Sequence, residues 1–499
     1  MAARKLVYAL SVLLCVTIIP YFLRRLRSQD DSRNVPAYPW RALVILIAVP
    51  LIAWIAGASQ IDDSYIYDRY IANALAGHGL VYNMGEHVNA LSSPVFGYVL
   101  LFLSWALGHN VLLASELLSG TCMVLTCLLA EWLVPFAGLL LAGAAYFYAL
   151  TGMETTLFTL MLLLEVTLYL KGKYKWLPVV SVLVALTRFE GAVLVLVIGI
   201  QMIRRRQLPR PVYFVPALLL IVAYLGLNKQ YYGIYIPSSA VAKLGQGFSG
   251  YWGKWPTAFL GIGTVGWLHN LFEGVIYATP VMLGFAVSGI LNKRNQLLSG
   301  VALPFCLILF LIYTIMNVPG DYFWYLSPFV LFALIYAATA IPRTSLAMAV
   351  AGVFIVISFV QTARMLREYR PRPYYHDYIE AGAWFQQNTP ASATVGAVEI
   401  GLLGWSSDRY IYDAIGLTTP RNAVFVAHHD SDSWLTTDRP DYVFVHATPW
   451  FWEVAARQSG DYVVEPVHLT AGDLILRRKD YDPRAPHEAT PATQPRPGS

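Results

Sequence analysis

Residues 41–70 read RALVILIAVPLIAWIAGASQIDDSYIYDRY. An apolar run ends here, and two adjacent carboxylates, Asp62 and Asp63, follow at once. The apolar half predicts a membrane helix, because roughly 20 such residues cross the hydrocarbon core of a bilayer. The acidic half raises the functional question. Two acids can mark the point where a helix leaves the lipid, or they can be chemistry held against the membrane. Adjacent carboxylates repel one another and a membrane exit needs neither, which gives the second reading physical weight. Such a pair can divide labour, one acid serving as base while the other binds a cation or holds a hydroxyl.

The rest of the chain repeats the apolar pattern. Of 499 residues, 57% are hydrophobic and only 13% charged, against about 25% charged in soluble domains. The mean hydropathy is +0.52. These values predict an α-helical polytopic membrane protein. Cys15, Cys122, Cys127 and Cys306 all fall inside apolar runs without metal-ligand spacing, so they read as packing residues. The first 27 residues carry Arg4 and Lys5 before an apolar stretch, but RRLRSQDDSR (24–33) follows without a small-residue cleavage site. Residues 1–40 therefore read as an extra, retained membrane helix and a basic loop.

Basic residues gather at 24–41, in KGKYK (171–175), in RRRQLPR (204–210), in NKR (292–294) and at Arg343. Short basic loops mark the cytoplasmic side. On that basis the apolar segments pair, giving about 11–13 membrane helices, with the parity of 93–150 left open. Asp62 and Asp63, segments 60–92, 228–274 and 318–325, and everything after about 363 then lie outside the cytoplasm. The 60–92 segment predicts a helix at the membrane surface followed by a Gly-rich turn. Residues 176–203 are too few for two full spans, yet they separate two basic clusters and carry TRFEG (187–191) at bilayer depth. A hairpin of two half-length helices meeting at 188–191 resolves this, and it implies a cavity cut into the membrane. From 363 to 480, a helical stretch alternates with β-like runs such as TVGAVEI, RYIYDAI and DYVFVHA, predicting an α/β soluble domain. The Pro- and Thr-rich residues 481–499 read as a disordered tail.

Several polar residues stand out against this background. Arg69 can pair with Asp68. Arg188 can pair with Glu190 or hold a phosphate by a bidentate hydrogen bond. Lys243, in PSSAVAKLG, is either a snorkelling lysine or a phosphate ligand. Asp321, in NVPGDYFWYLSP, sits at a turn, and Glu154, in GMET, at a helix start. The sequence has no Gly-rich nucleotide loop, no Ser/His/Asp grouping and no HExxH helix, which disfavours a nucleotide-using enzyme.

Six segments occur in order between about 40 and 420: DDSYIYDRYIANALAGHGLVYNMGEHV, TGMETTLFTLMLLL, ALTRFEG, YYGIYIPSSAVAKLG, PGDYFWYLSP and EIGLLGWSSDRYIYDAIGL. Together they resemble the GT-C class of integral-membrane glycosyltransferases, most closely the group containing the mycobacterial terminal β-(1→2)-arabinofuranosyltransferase and related bacterial envelope transferases. The resemblance implies a transmembrane catalytic module over 41–362 in the bacterial inner (plasma) membrane. There a sugar such as arabinofuranose or mannose would pass from a polyprenyl-phosphate donor to an envelope glycan, lipid or protein on the outer face. It implies that the acid opening the first outer loop, Asp62 or Asp63, is the general base. Asp63 is favoured by its spacing to Arg69. Arg188 and Lys243 become candidates for the donor phosphate, with Arg69, Glu154, Glu190 and Asp321 as further site residues. Direct displacement would invert the anomeric centre. Some members use a divalent cation and others none, so metal dependence stays open. The chain departs from the pattern at NALSS (89–93), where members usually read Glu-Gly-Tyr-Thr, and at Phe189, where they have Pro; both departures bear on acceptor and sugar. A transporter or flippase of lipid-linked saccharides is the rival reading, but no second DD or TRFEG appears in the other half of the chain.

Overall fold

The computed structural model describes residues 39–56, 60–261, 279–319, 322–341, 345–368 and 373–483. The helix expected before residue 39, Asp321, Arg343 and the tail beyond 483 lie outside the described residues.

Most of the molecule is helical. α1 (Pro39–Ala56), α2 (Asp62–Leu75), α3 (Pro94–Ala106), α4 (Val111–Leu133) and α5 (Thr155–Leu170) are followed by α6 (Leu177–Thr187) and α7 (Gly191–Arg204). Next come α8 (Val215–Tyr232), α9 (Ser238–Ser249), α10 (Thr279–Leu291), α11 (Gln296–Ile315), α12 (Ser327–Ala340) and α13 (Ser345–Glu368). Among the described residues, four helical stretches are long and apolar enough to cross a membrane: Val111–Leu133, Pro211–Tyr232, Lys293–Ile315 and Phe323–Ala340. Shorter apolar helices, including α5, α6 and α7, pack among them around one large apolar core, while α3 places Phe96 and Leu100 in a second cluster. The stretch around α8 is the least buried of the four and turns Leu218, Leu219, Val222 and Leu227 outward. Such a surface suits contact with lipid. The protein is a multi-pass membrane protein.

The expected half-length hairpin is present. α6 has 11 residues and α7 has 14, with Arg188, Phe189 and Glu190 between them. At about 1.5 Å per residue neither spans the roughly 30 Å hydrocarbon core. Gly191 permits the sharp return: a Cβ there would lie 2.5 Å from Val184 Cγ1 and 2.7 Å from the Val184 carbonyl oxygen. α2 starts at Asp62, where two acids in the first turn complement the helix dipole. Its Ile66, Tyr67, Tyr70 and Ile71 are buried, and so are the polar Ser64, Asp68 and Arg69, so α2 is enclosed between the helical part and the sheet region.

After α14 (Pro373–Asn388), the chain builds a five-stranded sheet in the order β2-β1-β3-β5-β4. β1 (Thr394–Ala397) runs parallel to both β2 (Tyr410–Asp413) and β3 (Tyr442–Val445), while β5 (Leu474–Arg478) is antiparallel to β3 and to β4 (Tyr462–Val464). The three β-like runs of the sequence are β1, β2 and β3. All four residues of β3 are buried, as expected of a strand covered on both faces. A short helix, α15 (Gly401–Ser407), follows β1, and α16 (Phe451–Gln458) follows β3. One apolar cluster contains Ile66, Tyr70 and Phe96 from the helical part together with Phe385, Val395, Ile411 and Phe444 from the sheet region. The two parts therefore share a core.

Candidate catalytic site

The first turn of α2 and the loop after β1 meet at the two acids. Asp62 accepts hydrogen bonds from the Gly401 N–H (2.9 Å, Oδ2) and the Leu402 N–H (2.7 Å, Oδ1). Its own backbone N–H donates to the Tyr375 hydroxyl at 3.2 Å. Both carboxylate oxygens are thus committed to α15. The Glu399 carboxyl, two residues before α15, lies within 4.8 Å of those of Asp62 and Asp63. Carboxyl groups this close favour a form in which one of them keeps its proton. Burial and the charge of Asp63 push Asp62 up to about 6, although the backbone N–H groups oppose this. Burial and both neighbouring aspartates hold Glu399 well above the carboxylate range.

Asp63, one residue on and about 100° around the helix, points elsewhere. Burial raises its pKa, and the opposing influence is the ammonium of Lys243. Lys243 sits on α9, 4.0 Å from the centre of the Tyr322 ring. Burial lowers its pKa, while the charges of Asp63, Asp413 and Glu399 raise it. An ammonium in this setting is poorly hydrated and available to an anion.

Two cavities adjoin this point. The first, about 470 Å³, is lined by Asp62, Glu399, Tyr322, Tyr378, His446 and Trp450 among others. The second, about 320 Å³, is more apolar and is lined by Phe189, Leu309, Ile312 and Tyr313 around Arg188. Asp63, Ile66, Lys243, Trp324 and Leu417 line both. Asp63 and Lys243 therefore stand on the wall between the more polar space and the more apolar one, while Asp62 lines only the first and Arg188 only the second.

Arg188 is held from both sides, Nη1 by Glu154 at 2.6 Å and Nη2 by Glu190 at 2.7 Å, with its guanidinium 4.8 Å from the Tyr325 ring centre. Glu154 and Glu190 thus enter the site as its partners. Arg69 lines neither cavity. Its Nε donates to the Tyr82 carbonyl at 2.8 Å, Nη2 to the Arg409 carbonyl at 2.6 Å, and Nη1 to the Gly404 carbonyl. It clamps α2 to the short helix Gly401–Ser407 that follows Glu399 and to the residues leading into β2. The expected Asp68–Arg69 pair does not form, because neighbours on a helix diverge; Asp68 instead faces Ser115 and Glu116 on α4. Sequence reasoning missed Glu399, Tyr375, Tyr378, His446 and Trp450. Only Glu399 had a signal, at the head of EIGLLGW, just past the carboxyl end of a parallel strand, where open sheets place ligands.

Asp62, Asp63 and Glu399 bring carboxylate oxygens within 4.8 Å of one another. An all-oxygen set of this kind suits a hard divalent cation such as Mg²⁺ or Ca²⁺.

Comparison with known proteins supports the fold. Residues 364–485 match a family described as a domain of unknown function (DUF8728). No curated protein matches the sequence significantly. ArnT from Cupriavidus metallidurans bound to undecaprenyl phosphate superposes with a TM-score of 0.59 at 12% identity, covering 88% of this chain and 98% of that one. Its apo state gives 0.57 at 13% identity, with the same coverage. The mycobacterial arabinofuranosyltransferase AftD gives 0.37 at 13% identity, over 89% of this chain and 40% of that one, too low for structural argument. The chain has the GT-C fold of ArnT.

Proposed function

We propose that this protein, which has the GT-C fold, transfers a sugar from a polyprenyl-phosphate donor to an acceptor hydroxyl of the bacterial cell envelope. The observation that carries the reading is the sharing of Asp63 and Lys243 by a polar cavity and an apolar one. A lipid-borne donor belongs in the apolar space, a hydroxylated acceptor in the polar one, and their reacting atoms must meet at the common wall. The ArnT structure that shares this fold contains undecaprenyl phosphate, which supports a polyprenyl carrier here. In this reading residues 41–362 form the catalytic module, and 363–480 an extracytoplasmic α/β domain over its outer end. The positive-inside distribution of Lys and Arg supports that orientation in the plasma membrane.

In the transfer step Asp63 takes the acceptor hydroxyl proton as that oxygen bonds to the anomeric carbon. The bond from the anomeric carbon to the phosphate oxygen breaks, and its electron pair leaves with the polyprenyl phosphate. Attack opposite the leaving group inverts the anomeric centre. Lys243 stabilises the charge developing on the phosphate, where desolvation makes it worth more than in water. Arg188 lines the apolar cavity as a hydrogen-bond donor to the phosphate, its charge offset by Glu154 and Glu190, which hold it in place. Asp62 holds the Glu399 loop in place rather than moving a proton. If a divalent cation takes part, Asp62, Asp63 and Glu399 would hold it, and it would supply charge neutralisation at the donor phosphate. The sugar is arabinofuranose, mannose or a similar residue.

The test is reconstitution in liposomes with a polyprenyl-phosphate sugar labelled in the sugar. Transfer with inversion, lost in Asp63→Asn, is the expected result. Movement of the intact lipid between leaflets without glycosidic bond formation would instead establish a transporter.

A further inference from the structure

The C-terminal sheet region holds a buried polar network that the transfer step leaves unused. Glu453, on α16, is almost fully buried. It accepts from the backbone N–H groups of His446 (3.1 Å) and Trp450 (2.9 Å) and from Nδ1 of the His446 imidazole (2.6 Å). A proton on Nδ1 leaves Nε2 as the acceptor for the Tyr378 hydroxyl, 2.8 Å away. Asp473 accepts from the Ala447 N–H at 2.8 Å, and its own N–H is held by Asp377 at 3.0 Å. The short loop 446–450 between β3 and α16 is therefore tied at both ends. It carries His446 and the half-exposed Trp450 to the wall of the polar cavity.

Tyr322 and Trp324, also on the lining, are stacked with ring centres 4.9 Å apart. The same cavity is lined by four carboxyl groups, Asp62, Asp63, Glu399 and Asp413, against one lysine, Lys243. Aromatic faces take the C–H faces of a sugar ring, and carboxylates accept from its hydroxyls. With Glu399 keeping its proton, three carboxylates still face one lysine, and that surplus of negative charge in a partly enclosed space opposes a phosphate, sulfate or uronate.

Building on the transferase reading, we infer that this cavity is the acceptor subsite, that it takes an uncharged sugar ring, and that Trp450 is its platform. His446 is a positioning residue, fixing Trp450 and Tyr378 through Glu453. The region that matches a domain of unknown function thereby selects the acceptor.

The experiment compares a neutral alkyl disaccharide with its phosphorylated counterpart as acceptors for the reconstituted full chain. Wild type should use the neutral glycoside at least tenfold better by kcat/KM. Trp450→Ala should raise the acceptor KM at least tenfold while kcat at saturating acceptor falls less than threefold, and Trp450→Phe should recover most of the affinity. His446→Gln should raise the acceptor KM in the same direction. An unchanged acceptor KM in Trp450→Ala, a loss that Trp450→Phe shares in full and that falls on kcat, or equal use of the two glycosides would overturn the inference. Consumption of the donor by water, measured without acceptor, separates the two levels. If the wild-type protein consumes donor in neither assay, the transferase reading itself fails; if it consumes donor normally but Trp450→Ala keeps its acceptor KM, only the acceptor subsite fails.

Discussion

Asp62 and Asp63 are chemically identical neighbours with different partners, and that difference is open to measurement. Asp63→Asn removes the one carboxylate that, among the described residues, lines both cavities, and transfer should fall by about 10²–10⁴-fold with the fold intact. Asp62→Asn acts on structure first. The amide keeps one acceptor oxygen and turns an NH₂ toward the second backbone N–H, so one of the bonds to Gly401 or Leu402 is lost. The expected cost is about 1–3 kcal/mol, seen as faster hydrogen exchange over residues 399–404. Normal exchange there together with normal transfer would show that the anchor is dispensable. Arg188 poses a related question, since it pairs with two glutamates at once. Arg188→Gln should destabilise the protein by about 3–5 kcal/mol, measured as thermal unfolding in detergent. Adding Glu154→Gln and Glu190→Gln should restore much of that loss. Failure of the triple variant to recover would point to a packing role for the guanidinium.

Among the elements, the α6–α7 hairpin and α9 place the cationic side chains. Gly191 sits against Val184, so Gly191→Val overpacks the return and should cost about 1–3 kcal/mol. α9 has its faces arranged opposite to those of a soluble helix. Val241, Leu244 and Phe248 are exposed, while Ser239, Gln246 and Ser249 are buried. With spacings of three and four residues, the three apolar side chains form one stripe. Such a helix rests in the lipid interface with its polar face turned toward the cavities. A tryptophan introduced by Phe248→Trp in a background lacking other interfacial tryptophans should be quenched by brominated lipid. Quenching only by a water-soluble agent would place α9 away from the bilayer.

For the molecule as a whole, the site depends on packing between the helical part and the sheet region. The cluster around Ile66, Tyr70, Val395 and Phe444 supplies the apolar contact, and Arg69, Tyr82 and Asn83 add hydrogen bonds to backbone groups of residues 400–411. Through the Glu453–His446–Tyr378 network, the stability of the sheet region depends on pH. Burial alone would lower the His446 pKa, but the hydrogen bond and charge of Glu453, with smaller contributions from Asp473 and Asp62, raise it above 6.5. The folded imidazole holds its proton more tightly than the unfolded one. This stabilisation is therefore complete below about pH 6.5 and is lost as pH rises through the elevated value. Hydrogen exchange of β3 and α16 in the full chain should show that loss on going from pH 6 to pH 9, and His446→Gln should flatten it.

The sequence by itself determined what local composition and periodicity encode: a multi-pass helical membrane protein, a broken hairpin at TRFEG, strands at 394–397, 410–413 and 442–445, and the acid pair at the first helix exit. Membrane spans and strands are legible because hydropathy and β-branched runs act over about 5 to 20 consecutive residues. The tertiary structure alone decided which acid is anchored and which lines both cavities, because the anchoring depends on Gly401 and Leu402, more than 330 residues away. The same holds for Glu399, His446 and Trp450, which carry no motif and line the cavity only because the sheet region packs on α2. Arg188 was legible as a buried charge. Its division between Glu154 and Glu190 was not, since Glu154 reaches it only once α5 packs beside α6.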